Sequence, residues 1–154
     1  MDFEDLIVSA GEKLGIEGMR PNDAGVVAIG SDTLQIVISW DQAADRVLLQ
    51  GSFGMLPETA ADSFCRMMLR ANDGLRATGG ATLSLSEADD RILLVRSEPL
   101  AGLEVDGFID LLQRFADTLG VWEENLAQFS LVGPEINARR SAAGGVTPLG
   151  VDIV

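Results

Sequence analysis

Apolar residues recur at helical spacing in three segments of the chain. In the first, residues 3–14, the apolar positions lie three or four residues apart, and Gly15 directly after them is typical of a helix end. The second segment starts at Pro57 and Thr59 and ends near Asn72-Asp73-Gly74, and the third begins at Glu104. The pattern therefore predicts three helices.

Between these helices, apolar residues alternate with polar ones or form short continuous runs, as in strands. Three strands precede the second helix and two follow it. The clearest alternation places four apolar side chains on one face of the second strand: Leu34, Ile36, Ile38 and Trp40. The fifth strand, 92–95, is apolar on both faces, which indicates a central strand or a cover from outside the domain. The order α-β-β-β-α-β-β-α predicts an α+β domain with an antiparallel five-stranded sheet.

Length and composition fit one domain followed by a tail. A chain of 154 residues with 47% hydrophobic residues supports a single core, which we assign to residues 1–130. Residues 131–154, rich in Gly, Ala, Pro and Ser, are expected to form a mobile tail. The last six residues, LGVDIV, are apolar enough for an alternative, in which the tail docks on a groove or adds a strand.

The second helix carries more apolar surface than one core requires. Its main stripe consists of Ala60, Ala61, Phe64, Met67, Met68, Ala71 and Leu75. Cys65 and Leu69 lie beside this stripe and widen the apolar arc to about 200°, where a helix on one core needs about 100° or somewhat more. Surplus apolar surface usually marks an interface. The alternative is a helix that packs wholly inside one core.

The charge of the chain excludes one class of partner. The formal net charge is −13, from 24 acidic and 11 basic residues, and Lys13 is the only lysine. Nucleic-acid binding relies on Lys and Arg that displace counterions from phosphates, so no nucleic acid is expected as a partner. The acidity provides either solubility alone or a surface suited to a neutral or basic partner.

The single cysteine and the N-terminal residues favour a cytoplasmic protein. Cys65 cannot form an internal disulfide, which fits a reducing compartment. The first residues are acidic where a signal peptide is basic, and no run of about 18 apolar residues exists. We therefore expect a soluble chain without membrane insertion.

No group of residues indicates catalysis, a metal or a cofactor. The chain has no histidine, which removes the commonest general base and metal ligand, together with Ser-His-Asp and Cys-His schemes. Cys65, among apolar neighbours, is interpreted as packed rather than reactive. The acidic residues of the two hairpin loops, 41–45 and 89–90, fit turns better than a calcium site. The sequence predicts no enzyme, and hydrolysis by carboxylates alone is the remaining alternative.

Several phrases, taken in order, resemble a known family: the small acidic class I chaperones of bacterial type III secretion, typified by Tir and Yop chaperones. The phrases are LIVSAGEKLGI in the first helix, VLLQGSFGMLP before the second, MLRAN at its end, GGATLSLSEADDRILLVRSEPL, and FIDLLQRFADTLGVWEENL in the third. The resemblance covers approximately Phe3 to Phe129. The extension past Phe129 departs from the family pattern.

The resemblance implies a homodimer without catalytic activity, in which three helices flank a twisted antiparallel sheet. In that family the second helix and the following strand form the dimer interface, which corresponds here to Phe64, Cys65, Met67, Met68, Leu69, Leu83 and Leu85. The client is a non-globular segment near the N-terminus of a secreted effector, bound in extended form. The residues expected to bind it are Phe3, Leu6, Leu14, Leu34, Ile36, Ile38 and Trp40.

The resemblance also implies the secretion ATPase as a further partner. A regulator is the alternative function, since chaperone-like proteins of this kind sequester a transcriptional regulator or its antagonist. Both functions use the same grooves, so the sequence leaves both open.

Overall fold

The computed structural model describes residues 1–31 and 34–131, which form three α-helices, a short 3₁₀ turn and one five-stranded sheet. In chain order the elements are α1 (Phe3–Leu14), β1 (Val26–Gly30), β2 (Gln35–Asp41), β3 (Arg46–Met55), α2 (Ala61–Asn72), the 3₁₀ turn (Asp73–Leu75), β4 (Thr82–Leu85), β5 (Arg91–Pro99) and α3 (Val105–Leu131). This order confirms the predicted α+β arrangement. Of the predicted tail, residues 132–154 lie outside the described residues.

All neighbouring strands are antiparallel, in the spatial order β1-β2-β3-β5-β4. β5 therefore lies between β3 and β4. The strand that is apolar on both faces is an inner strand, as one of the two interpretations predicted. β1 and β4 are the edges of the described sheet.

One face of the sheet is buried beneath the helices. Buried residues alternate along the strands, with Ile38 on β2 and Leu49 on β3 fully enclosed. α3 packs closely on β3, because a methyl group built on Gly51 would lie 2.4 Å from a methyl of Leu119. A glycine at this position lets the long helix lie directly on the sheet.

α1 has a capping residue at each end. Asp2 Oδ1 accepts a hydrogen bond from the Asp5 N–H at 2.8 Å, which satisfies one of the open donors at the helix start. At the other end Gly15 has φ 68°, and its N–H bonds to the carbonyl of Glu12. The helix therefore ends where the sequence predicted.

α2 starts slightly later than predicted and ends at Asn72, within the predicted end at Asn72 to Gly74. The helix begins at Ala61 rather than at Pro57 to Thr59, because a turn comes first, in which the Ala60 N–H bonds to the Pro57 carbonyl at 3.3 Å. At the far end Gly74 has φ 68°, which interrupts the regular helix. Leu75 consequently leaves the apolar stripe and is 40% exposed.

A side chain of α2 closes part of the outer edge of β4. Asn72 Nδ2 donates to the Leu83 carbonyl at 3.0 Å, and Asn72 Oδ1 accepts from the Leu83 N–H at 2.8 Å. One amide thus takes the place of a neighbouring strand at this residue. It also ties the end of α2 to the sheet.

We expect Asn72→Ala to lower the free energy of unfolding by about 1–3 kcal/mol, because two main-chain groups of Leu83 lose their partner. Urea denaturation followed by circular dichroism measures the change. Arg66→Ala, at an exposed position of the same helix, is the matched control and should stay within about 0.5 kcal/mol of wild type. Equal effects of the two substitutions would contradict the role given to this amide.

Candidate functional site

The seven residues predicted for the dimer interface divide into a buried and an exposed group. The buried group belongs to the core of the single chain and consists of Phe64, Met67, Met68 and Leu83. The Phe64 ring meets the Phe129 ring of α3 edge-to-face, with 5.0 Å between the ring centres. The other three, Cys65, Leu69 and Leu85, turn toward solvent and define what we call the α2–β4 face.

The α2–β4 face is continuous because α2 lies along β4. The Asn72 side chain bonds the end of α2 to Leu83 of β4. Nearer the start of α2, Cys65 interacts electrostatically with Asp90 in the β4–β5 loop. Leu69 is 70% exposed and Leu85 39%. Cys65 and Leu69 are four residues apart, hence on the same side of the helix.

The electrostatic surroundings of Cys65 disfavour its thiolate. Burial raises the pKa of the Cys65 thiol, and the carboxylates of Asp62 and Asp90 raise it further because they repel a second negative charge. The thiolate is the nucleophilic form, so this thiol is poorly reactive at neutral pH. The surroundings support the interpretation of Cys65 as a packing residue.

Asp62→Asn is expected to lower the pKa of Cys65, because one of the carboxylates that disfavour the thiolate disappears. A pH titration of the thiolate absorbance measures this directly, since the chain has one cysteine. Asp110→Asn removes the same charge at an exposed site on α3 and should leave the Cys65 pKa unchanged. Identical titrations of the two variants would refute the assigned cause.

The seven residues predicted for client binding also divide by exposure. Four are buried within the chain: Phe3, Leu6, Ile36 and Ile38. Three remain partly exposed: Leu14, Leu34 and Trp40. Phe3 and Trp40 are stacked, with 6.1 Å between ring centres and 18° between ring planes. The structure thus joins the start of α1 and the end of β2 in one aromatic surface.

Cavities lie on both sides of Trp40. One of about 570 Å³ is bounded by the start of α1 and residues 20–25, and one of about 520 Å³ is bounded by Asp45 and residues 100–104. We call the two together the Trp40 cleft. The indole N–H of Trp40 donates to Asp45 Oδ1 at 3.3 Å, which fixes the orientation of the ring.

Acidic side chains surround the Trp40 cleft. Among the described residues that line it, Arg20 is the single side-chain cation, and its Nε lies 3.8 Å from the Glu4 carboxylate. The carboxylates are those of Asp2, Glu4, Asp23, Asp45 and Glu104. The rim is therefore net negative.

The β1 edge of the sheet begins beside the same cleft. The Gly25 carbonyl accepts from the Trp40 N–H at 3.2 Å, so alternate residues of β1 bond to β2 and Ala28 directs its main-chain groups outward. The outward groups of Val26 are bonded to Asn22, whose Oδ1 accepts from the Val26 N–H at 3.0 Å. Past Val26, the edge suits the addition of an extended chain.

Sequence reasoning missed the residues that close the sheet edges and orient Trp40. Asn22 lies in a turn and Asn72 ends a helix, positions where an Asn side chain commonly bonds to the main chain, and that was the available signal. Asp45 was interpreted as a turn residue only. Its φ of 51° fits a turn, but its carboxylate also holds the indole of Trp40.

Other acidic residues behave as the predicted turn residues. Asp41 Oδ1 accepts from the N–H groups of Ala43 and Ala44, and hydrogen bonds from Arg91 lower the pKa of Asp89. In the described part of the chain, no three His, Cys, Asp or Glu side chains are grouped to hold a metal ion. No helix there has the length and apolarity needed to cross a membrane.

The sequence matches the family model described as the Tir chaperone protein (CesT) family over residues 5–123. This match runs from within α1 into α3, and so includes the α2–β4 face and the Trp40 cleft apart from its residues 1–4. No curated protein sequence matches the chain significantly.

Solved structures share the fold. The ExsC-ExsE complex superposes with a TM-score of 0.69 at 15% identity, over 80% of this chain and 96% of that chain. The HopA1-SchA chaperone-effector complex gives 0.61 at 24% identity, over 79% and 90%. The Yersinia pestis type III secretion chaperone SycH, in complex with a fragment of YscM2, gives 0.62 at 17% identity, over 78% and 98%. At these identities the likeness establishes the fold.

Proposed function

The chain belongs to the Tir chaperone (CesT) family, and we propose that it is a type III secretion chaperone that binds a non-globular N-terminal segment of one or more secreted effectors as a homodimer. Binding keeps the segment soluble and competent for secretion. This role places the protein in the bacterial cytoplasm, requires no catalytic activity, and makes the secretion ATPase a further partner.

The observation that carries the proposal is the meeting of an aromatic cleft and an outward-facing strand edge at one place. The Trp40 cleft is lined by Gly25, the residue before β1. Because Asn22 occupies the outward main-chain groups of Val26, a chain that pairs with β1 at Ala28 would pass the turn at Asn22 before it reaches the cleft. Main-chain hydrogen bonds would supply affinity, and side chains in the cleft would supply specificity.

The α2–β4 face supports the proposed homodimer, with a second copy of this chain as its occupant. A two-fold axis brings the same patch of both chains together, so Leu69 would meet apolar partners from the twin helix. Leu69 is 70% exposed in the single chain and lies on the same side of the helix as the partly exposed Cys65, so a second copy would cover both. The buried residues beneath it hold the helix in place.

Co-expression with secreted proteins encoded beside this chain tests the function. We expect one of them to co-purify, and limited proteolysis of the complex to leave its N-terminal segment protected. The same protein without that segment should fail to co-purify and should lose solubility. Retention of the truncated protein would overturn the proposal, because the segment would not be the bound part. A partner with a DNA-binding domain would favour the regulator instead.

A further inference from the structure

We propose that the Trp40 cleft recognises a basic side chain placed two residues from an apolar side chain in an extended polypeptide. This inference rests on the proposed function, because it specifies the chemistry of the segment that the chaperone binds. It assigns the apolar contact to Trp40 and the basic contact to the carboxylates beside it.

The floor of the cleft is apolar and already in its binding conformation. Phe3 stacks on Trp40, and Asp45 holds the indole N–H at 3.3 Å. Leu100 and Leu103 line the cavity on the Asp45 side. A ring that is fixed before binding loses little freedom when an apolar side chain packs on it, which favours affinity.

The rim selects for positive charge. Asp45 and Glu104 line the cavity that contains no basic side chain, and Asp45 touches the edge of the indole. A Lys or Arg that pairs with Asp45 therefore lies beside the indole, where the methylene groups of its side chain can pack on the apolar lining of the cleft. In the cavity bounded by residues 20–25, the cation Arg20 lies near Glu4 and the Asp2 carboxylate caps α1, which leaves Asp23 as an additional negative group.

The spacing of the two contacts follows from the geometry of an extended chain. Side chains two residues apart point to the same side of a strand and are about 6.5–7 Å apart. Two neighbouring cavities that share Trp40 and Asp2 in their linings accept such a pair, one side chain in each. A segment that pairs with β1 at Ala28 and continues in extended form past the turn at Asn22 would present alternate side chains to these cavities.

Three synthetic peptides test the proposal by fluorescence polarisation. They share the sequence Gly-Ser-Leu-Thr-Arg-Thr-Leu-Ser-Gly, with the central Arg kept, replaced by Gln, or replaced by Glu. We expect affinity to fall in the order Arg, Gln, Glu, and the preference for Arg to shrink as salt is raised. Equal affinities, a preference for Glu, or no binding of any of the three would overturn the proposal.

Variants of the protein test whether the preference for the Arg peptide arises in the Trp40 cleft. The double variant Asp45→Asn, Glu104→Gln should weaken the Arg peptide about 5- to 10-fold and leave the Gln peptide unchanged, since each exposed charge pair contributes modestly. Asn suits the left-handed backbone of residue 45 and keeps an acceptor for the indole. The control pair Glu87→Gln, Asp117→Asn removes the same charge at exposed sites outside the cleft.

The two proposals fail separately. If both double variants weaken the Arg peptide equally, the recognition arises from overall charge, and the assignment to the cleft is wrong. An effector segment that still co-purifies with the Asp45, Glu104 variant as strongly as with wild type would also overturn the cleft assignment, while leaving the chaperone function intact. Failure of every secreted protein to co-purify with the wild-type chain would instead remove the proposed function.

Discussion

Leu69→Glu is expected to convert the proposed dimer into a folded monomer. Leu69 is 70% exposed in the single chain, so a glutamate there stays hydrated when the chain is alone. At a two-fold α2–β4 face, two such glutamates would be buried close together without partners. We expect association to weaken by at least about 2 kcal/mol, the scale of a central interface residue.

Light scattering after size exclusion at micromolar concentration measures the outcome. Wild type should have twice the mass of one chain, and Leu69→Glu should have the mass of one chain, 16.3 kDa. The far-ultraviolet circular dichroism of the two proteins should be the same. A wild-type protein that is monomeric at this concentration would refute the homodimer itself.

The adjacent residue provides the contrast that makes the test specific. Met68 is 4% exposed, so Met68→Glu places an unpaired charge in the core and should unfold the chain rather than separate two folded copies. Arg114→Glu makes the same change of charge at an exposed position of α3, outside the α2–β4 face, and should remain dimeric. If Leu69→Glu also remained dimeric, the interface would lie away from the α2–β4 face.

The elements with strong local periodicity could be predicted from the sequence. α1 has a stripe of apolar residues that ends before Gly15, and Gly15 ends the helix as expected. The inner position of β5 is one of the two interpretations that apolar residues on both of its faces allowed. These signals are local, because they depend on side-chain spacing and on caps within one turn of the element.

The start of α2 and the place of Leu75 were predicted less well than the end of the helix, which lies at Asn72 as expected. Residues such as Pro57 are accepted both in the first turn of a helix and in the turn that precedes it, and here the second arrangement forms. Gly74 adopts a left-handed conformation that the sequence permits but does not require. Leu75 therefore fitted the spacing of the stripe although it lies outside the helix.

Some features of the candidate site could be predicted from the sequence, and others depend on how the elements pack. The width of the apolar arc on α2 was visible in the sequence, but which side chains turn inward depends on where α3 and β4 lie. Phe64 packs against Phe129 of α3, whereas Leu69 meets no such cover. The contact between Phe3 and Trp40 joins residues far apart in the chain, and no local pattern specifies it. Tertiary packing decides both.

Trp122→Ala is expected to be among the most destabilising single substitutions in the chain. The Trp122 side chain is fully buried, its indole N–H donates to the Ala77 carbonyl at 3.1 Å, and its ring centre lies 6.5 Å from that of Phe53. The residue therefore connects α3 to β3 and to the loop that leads into β4. Truncation leaves a large cavity and an unpaired carbonyl, which together should cost about 3–5 kcal/mol.

Urea denaturation followed by circular dichroism measures the loss, at one fixed protein concentration because a dimer's stability depends on concentration. Trp122→Phe retains a ring but leaves the Ala77 carbonyl without its donor, and should cost about 1–3 kcal/mol. Val121→Ala, at a neighbouring position that is 48% exposed, should change stability by no more than about 0.5 kcal/mol. Removal of a tryptophan from a packed core leaves a cavity and must cost stability. An effect of Trp122→Ala as small as that of Val121→Ala would therefore show that this side chain does not hold α3 in place.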